Sequence, residues 1–227
     1  MYNFEQIFDF LRECNSNNNT EWMHAHKQYY LEAKNEFQHI SQEILDRLSI
    51  IDPSLKGLDV KHCIFRFNRD IRFSWDKSPY KDHFSVYYVP GGKKQVRAGY
   101  YFHLKPGDES LICCGVHCPP TPALRMIRQT IAEDGATLDQ IIKSRSFSKY
   151  YKSIDGECVK TQPSGITHSD YDYLVKHKDF DACHYITDTD MIGPNIIVRI
   201  VEGLGAGKPF NDYFNDILSD SHIKSVF

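Results

Sequence analysis

The chain of 227 residues reads as an α+β protein, a central antiparallel meander with N-terminal and C-terminal helices packed on it. Three observations predict this. Apolar residues recur at steps of three and four through the N-terminal part and again beyond Thr121. The stretch between them is rich in aromatic and β-branched residues, which suit a pleated surface. Gly91-Gly92 and Pro106-Gly107-Asp108 punctuate that stretch with turn chemistry. No linker, repeat or low-complexity segment divides residues 1–227, which are read as one domain.

In order along the chain, Asn3 and Gln6 form a capping-box pattern ahead of Phe4, Ile7, Phe8 and Leu11. After a polar break over Asn15 to Thr20, Met23, His26, Tyr30, Ala33, Phe37, Ile40, Ile44 and Leu48 make one long helical stripe suited to packing on a sheet. Asp52-Pro53 ends it, because proline disfavours helix in its predecessor. Strands are predicted over 63–67, 83–89, 96–104 and 110–116. Thr121-Pro122 opens a helix that carries Leu124, Ile127 and Ile131 and stops at Gly135. Thr137 and Gln140 suggest another capping box. A strand over 182–187 then precedes helices over 195–204 and 210–218.

Hydrophobic residues make up 41% and aromatic residues 13%, a composition that excludes global disorder. A net charge of −3 argues against a protein dedicated to coating nucleic acid. The N-terminal residues lack an apolar signal core, and no run approaches the roughly 18 apolar residues of a membrane helix. Seven cysteines at irregular spacing fit reduced thiols better than a disulfide framework. The expectation is a soluble cytoplasmic protein with no membrane partner.

The densest polar constellation runs from Phe65 to Lys81, where three arginines, two lysines and two aspartates alternate with aromatic residues. Aromatics favour burial, so the segment reads as a buried or half-buried cationic site. If the strand from Cys63 continues through it, Arg66, Asn68, Asp70 and Arg72 share one face, and Phe65, Phe67 and Ile71 take the other. Asp70 would orient the guanidiniums, whose remaining donors form a fork for phosphate or carboxylate. Lys77 and Lys81 reach back over that face, and Tyr80 packs below or donates its hydroxyl. Burying such an array unpaired costs several kcal/mol per ion, on the order of the general penalty for buried charge. It is therefore either completed by an anionic ligand or paired internally as an Arg/Asp network, and both readings stand.

Arg66-Phe67-Asn68-Arg69-Asp70-Ile71-Arg72-Phe73-Ser74 and Asp76-Lys77-Ser78-Pro79-Tyr80-Lys81 resemble the domain of unknown function 2461 family. Supporting matches are Asn17 to Trp22 with Lys27, Ala98 to Leu104, Leu124 with Ile127-Arg128, and Lys208-Pro209-Phe210. The resemblance implies a single compact α+β domain in the cytoplasm. It implies no particular reaction.

Other motifs carry less. Cys113-Cys114-Gly115-Val116-His117-Cys118 suggests zinc only if Cys63, His103 or Cys183-His184 complete the set, and strand cysteines are more simply small core residues. Gly203 to Pro209 lacks the first glycine and the hydroxyl of a phosphate loop, and reads as a helix stop before a new helix. No Gly-x-Ser-x-Gly elbow occurs. Cys183 and His184 are strand neighbours that point apart, which disfavours a Cys–His dyad. Asn18, Glu21 and Trp22 read first as a helix cap. No metal and no cofactor are expected.

The leading functional reading is a pocket in which Arg66, Asn68, Arg69, Arg72, Lys77, Tyr80 and Lys81 hold a phosphorylated or carboxylated small molecule. If it is an enzyme, Asp70, Asp76 or His103 is the candidate acid or base. The alternatives are a single-stranded nucleic-acid or nucleotide module that stacks bases on Phe67, Phe73, Trp75 and Tyr80, and a non-catalytic protein whose Arg/Asp motif is purely structural.

Overall fold

Asn3 accepts a hydrogen bond from the Gln6 backbone N–H and starts helix α1 (Phe4–Ser16), as the capping pattern predicts. The computed structural model describes residues 2–219, with the elements in an order close to that read from the sequence. After α1 come α2 (Thr20–Ala25), α3 (Lys27–Ile51) and a short α4 (Val60–Cys63). Strands β1 (Phe84–Tyr88), β2 (Gly99–Leu104) and β3 (Ser110–Val116) follow, then α5 (Thr121–Asp134), α6 (Ala136–Lys143), α7 (Arg145–Ser148) and α8 (Asp172–Val175). Strand β4 (Phe180–Ile186) precedes α9 (Asp188–Met191), α10 (Ile196–Ala206) and α11 (Lys208–Ser219). The four strands pair in the order β1-β2-β3-β4, an antiparallel meander, and the class is α+β. Among the described residues no helix is long and apolar enough to cross a membrane.

The described residues fall into two units. The first comprises residues 2–88, Tyr101–Ile112 and Tyr185–Glu202. Its core is aromatic: Phe37 of α3, fully buried, lies 5.4 Å from Phe84 and 5.9 Å from Phe102 between ring centroids. This is the sheet-facing role the helical stripe predicts. Tyr88 is buried beside it and donates to the Ser41 carbonyl at 2.8 Å.

The second unit comprises Val89–Tyr100, Cys113–His184 and 203–219. Its core gathers Ile127, Ile131, Leu138, Phe147, Phe180 and Phe210. Two glycines there are required by close approach. A Cβ on Gly115, which has φ of 123°, would collide with the Phe180 carbonyl, and one on Gly207 would lie 2.6 Å from Cys114. Gly207 thus separates α10 from α11 in the role expected for the false phosphate loop.

Four sequence expectations are corrected. No strand forms over 63–67: Cys63 ends α4, and Ile64 makes only an isolated bridge to Val86. The single long helix is two, α2 and α3, broken at His26, whose ring stacks on Trp22 at 4.3 Å while its Nδ1 lies 2.9 Å from the Trp22 carbonyl oxygen. Neither proline nor glycine marks that break, so periodicity runs through it. Thr137 does not cap α6, which follows directly on Gly135 without a side-chain cap. Finally, Cys113 and Cys183 form a disulfide between β3 and β4, so those two of the seven cysteines are not free thiols.

Phe37→Ala should lower the unfolding free energy by about 3–5 kcal/mol, because it removes a fully buried ring and leaves a cavity. Urea denaturation followed by circular dichroism measures this, and a loss below about 1 kcal/mol, the scale of an ordinary surface change, would contradict the packing described.

Candidate functional site

The Phe65–Lys81 segment is a closed loop, not a strand. Backbone hydrogen bonds fasten its two limbs: Phe65 N–H to the Ser85 carbonyl at 2.9 Å, Arg69 N–H to Pro79 at 2.8 Å and Lys81 N–H to Phe67 at 3.0 Å. Asn68 and Tyr80 form an antiparallel bridge. Asn18 clamps the returning limb, its amide donating to the Tyr80 carbonyl at 3.0 Å and accepting from the Tyr80 N–H at 3.1 Å. Asn19, not Asn18, caps α2 by accepting from Trp22 N–H. The expected cap residue instead braces the loop.

Within the loop, polar side chains take the backbone groups that a ladder would have used. Asp70 accepts from its neighbour's backbone at Arg72, and Asp76 accepts from Ser78 N–H at 2.9 Å. Such local bonds compete with extended structure. They explain why the expected polar face of Arg66, Asn68, Asp70 and Arg72 does not form. Burial is corrected too: Phe67 is 4% exposed, but Phe73 is 94% and Trp75 101% exposed.

The basic groups are engaged within the loop to different degrees. Arg69 pairs with Asp76 and also donates to the Ser78 carbonyl at 3.2 Å and the Ser74 hydroxyl at 3.3 Å. Arg72 grips Asp70 with two donors, at 2.9 and 2.7 Å. Lys77 donates to the Ile71 carbonyl at 3.0 Å. Arg66 stands 4.0 Å from Asp70, and Lys81 lies over the Phe65 ring at 5.2 Å.

Beside the loop lies a pocket of about 430 Å³. Arg69, Asp70, Asp76, Tyr80 and Lys81 from the sequence-predicted set line it. Arg66, Asn68, Arg72, Lys77 and His103 are not part of its wall. The wall also contains Asn15, Asn18, Ser78, Asp82 and His83, none of which the sequence reading placed among the ligand-binding residues. A signal existed for Asp82 and His83, since they directly continue the motif into β1. Asn15 joins only because α1 and the loop meet in space.

Electrostatics set what these groups can do. Hydrogen bonds from Arg72 hold Asp70 below the usual carboxylate range. Those from Ser78, then Arg69, bring Asp76 down to about 2. Both are poor proton acceptors at neutral pH. Asp82 is held lower still by its hydrogen bond to His83, aided by Lys105 at 3.1 Å. His103 stacks on His83 at 4.4 Å, and its Nδ1 lies 3.3 Å from the Tyr101 hydroxyl. Burial, with His83 and Lys105 nearby, pushes His103 down to about 4. Its buried Nε2 has no hydrogen-bond partner among the described residues. The site therefore offers fixed charges and hydrogen-bonding groups, with a neutral imidazole behind the wall.

The family model described as "Conserved hypothetical protein (DUF2461)" matches residues 6–213. The chain belongs to this family. The match takes in the whole loop and every pocket residue, as the resemblance of the central motif implies. No curated protein and no solved structure matches the chain.

Two measurements follow from this geometry. Asn18→Ala leaves both Tyr80 backbone groups without their side-chain partner. It should cost about 1–3 kcal/mol and speed amide exchange at Tyr80, while unchanged exchange would refute the clamp. For His103, the unfolded chain binds a proton near 6.5 but the folded chain resists until about 4. Its contribution is thus fully present above pH 6.5 and lost as pH falls toward 4, on the order of 3 kcal/mol at most. His103→Gln should flatten the fall in melting temperature across that window. An unaltered slope would refute it.

Proposed function

We propose that the pocket beside the Phe65–Lys81 loop binds a phosphorylated or carboxylated small molecule. The observation that carries this reading is the pocket's wall: about 430 Å³ of space bordered by Arg69, Lys81, His83 and the amides of Asn15 and Asn18. Such a volume lies within the roughly 300–1,000 Å³ of ordinary small-molecule sites. Arg69 is already oriented by Asp76 and the Ser78 carbonyl, so an anion meets a preset guanidinium.

Asp70, Asp76 and Asp82 share the same wall. A bare anion would be repelled there, whereas hydroxyl groups donate to carboxylates. This favours a ligand that joins one anionic group to several hydroxyls, such as a sugar phosphate or a hydroxy acid.

A second reading rests on the exposed rings of Phe73 and Trp75, with the Arg72 guanidinium 5.8 Å from the Phe73 centroid. Bare aromatic and guanidinium surfaces favour stacking with the bases of a nucleotide or single strand.

Thermal shift with glucose 6-phosphate, citrate, AMP and a short oligothymidylate separates the two. The pocket reading expects a saturable gain with glucose 6-phosphate or citrate, about 2.7 kcal/mol at one hundred times Kd. Lys81→Gln should abolish the gain and Trp75→Ala should leave it. No gain with any probe, or a gain indifferent to Lys81→Gln, overturns it. Oligothymidylate binding that is lost in Trp75→Ala and falls steeply with salt supports the second reading instead.

A further inference from the structure

We infer that His117, Cys118 and Asp179 bind one zinc-class divalent cation, through imidazole Nε2, thiolate and carboxylate, with Asp181 orienting the histidine. The site lies wholly in the second unit, where the residues just after β3 meet the start of β4. The three ligand atoms lie within 4.8 Å of one another, and His117 Nε2 is 3.4 Å from Cys118 Sγ. Ligands bound at the usual 2.0–2.3 Å around one tetrahedral ion are separated by about 3.3–3.8 Å, which the imidazole–sulfur pair already meets.

The surroundings suit a metal more than a nucleophile. His117 Nδ1 lies 2.7 Å from the Asp181 carboxylate, which assigns the ring proton to Nδ1 and leaves the Nε2 lone pair facing the sulfur. This carboxylate–histidine arrangement is the usual support behind a metal-bound imidazole. Cys118 N–H donates to Asp179 at 2.7 Å, which fixes that carboxylate beside the thiol. Cys118 itself holds φ of 46°, an uncommon conformation for a residue with a side chain.

The same layout, Cys118–His117–Asp181, has the order of a thiol nucleophile with its base. The carboxylates of Asp179 and Asp181 stand beside this pair, and their negative charge disfavours a free reactive thiolate there. A divalent cation reverses that balance: thiolate and carboxylate supply two negative charges, the thiol proton leaves to water, and the ion neutralises the set. A thiolate and an imidazole select zinc over magnesium or calcium. Three protein ligands leave the fourth position for water or a small ligand, and the His117 side chain is 75% exposed, so ions reach it from solvent.

The cysteine-rich run singled out in the sequence thus contributes His117 and Cys118 only. Cys113 is in the disulfide, and Cys114 is buried in the unit's core. Neither the strand-spanning set with Cys63 or His103 nor Cys183-His184 completes the site.

EDTA-treated full-length protein should be titrated with Zn²⁺ by calorimetry and with Co²⁺ by absorption. The expected result is one ion per chain and a near-ultraviolet thiolate-to-cobalt charge-transfer band. Asp181→Asn should keep the band and weaken zinc binding about ten- to a hundredfold. Cys118→Ser should abolish the band and weaken binding further, and Cys158→Ser, which alters the other exposed thiol, should change nothing. Circular dichroism checks that each variant folds; Cys118 and Cys158 are exposed, and Asp181 lies on β4, the last strand of the sheet. Substoichiometric binding, a cobalt spectrum without the band, or Cys118→Ser titrating like wild type overturns the inference.

Discussion

Phe67 is surrounded by four rings, with centroid distances of 4.8 Å to Phe84, 5.6 Å to Tyr30, 5.7 Å to Phe10 and 5.9 Å to Tyr80. The polar loop hangs from this one buried side chain. Offset and tilted aromatic contacts of this kind add to simple burial, and they draw α1, α3, β1 and both limbs of the loop to one point. The backbone bonds at Phe67, Arg69 and Lys81 and the Asn18 clamp then fix where the returning limb runs. Without that anchor the pocket has no second wall, because Arg69, Asp70, Asp76 and Ser78 all belong to the loop.

The local excess of basic residues does not become a cationic surface. Arg72 spends two donors on Asp70, Arg69 spends its own on Asp76, Ser74 and Ser78, and Lys77 closes on the Ile71 carbonyl. Several of these groups are well exposed, so the pairs add little to stability. Their effect is on shape: each bond restrains a residue in a segment that has no ladder of its own. The pocket wall that results is mixed in sign, with Asp70, Asp76 and Asp82 beside Arg69 and Lys81.

Each proposed site is complete within a single unit, the pocket in the first and the cation site in the second. Their chemistry differs accordingly. The pocket relies on charges already paired and held. The proposed cation site instead gathers an imidazole, a thiol and a carboxylate whose ligand atoms converge on one point. The two can be probed by separate variants with no residue in common.

Capping, periodicity and turn signals determined the class, the meander, the start of α1, the extent of α5 and the sheet-facing stripe, because these depend on bonds between residues close in the chain. The motif was legible as a polar centre for the same reason, as were Arg69, Asp70, Asp76, Tyr80 and Lys81 as its members. Tertiary structure decided the rest. Aspartate, arginine and lysine side chains captured the loop's backbone and turned an expected strand into a closed loop, leaving Phe73 and Trp75 bare. The break at His26 depends on a ring stacking that no turn residue announces. Asn15, the Cys113–Cys183 pairing and the meeting of His117 with Asp179 and Asp181 arise from residues far apart in sequence. Local pattern carries no record of such encounters, because chain folding alone sets the distance between those side chains.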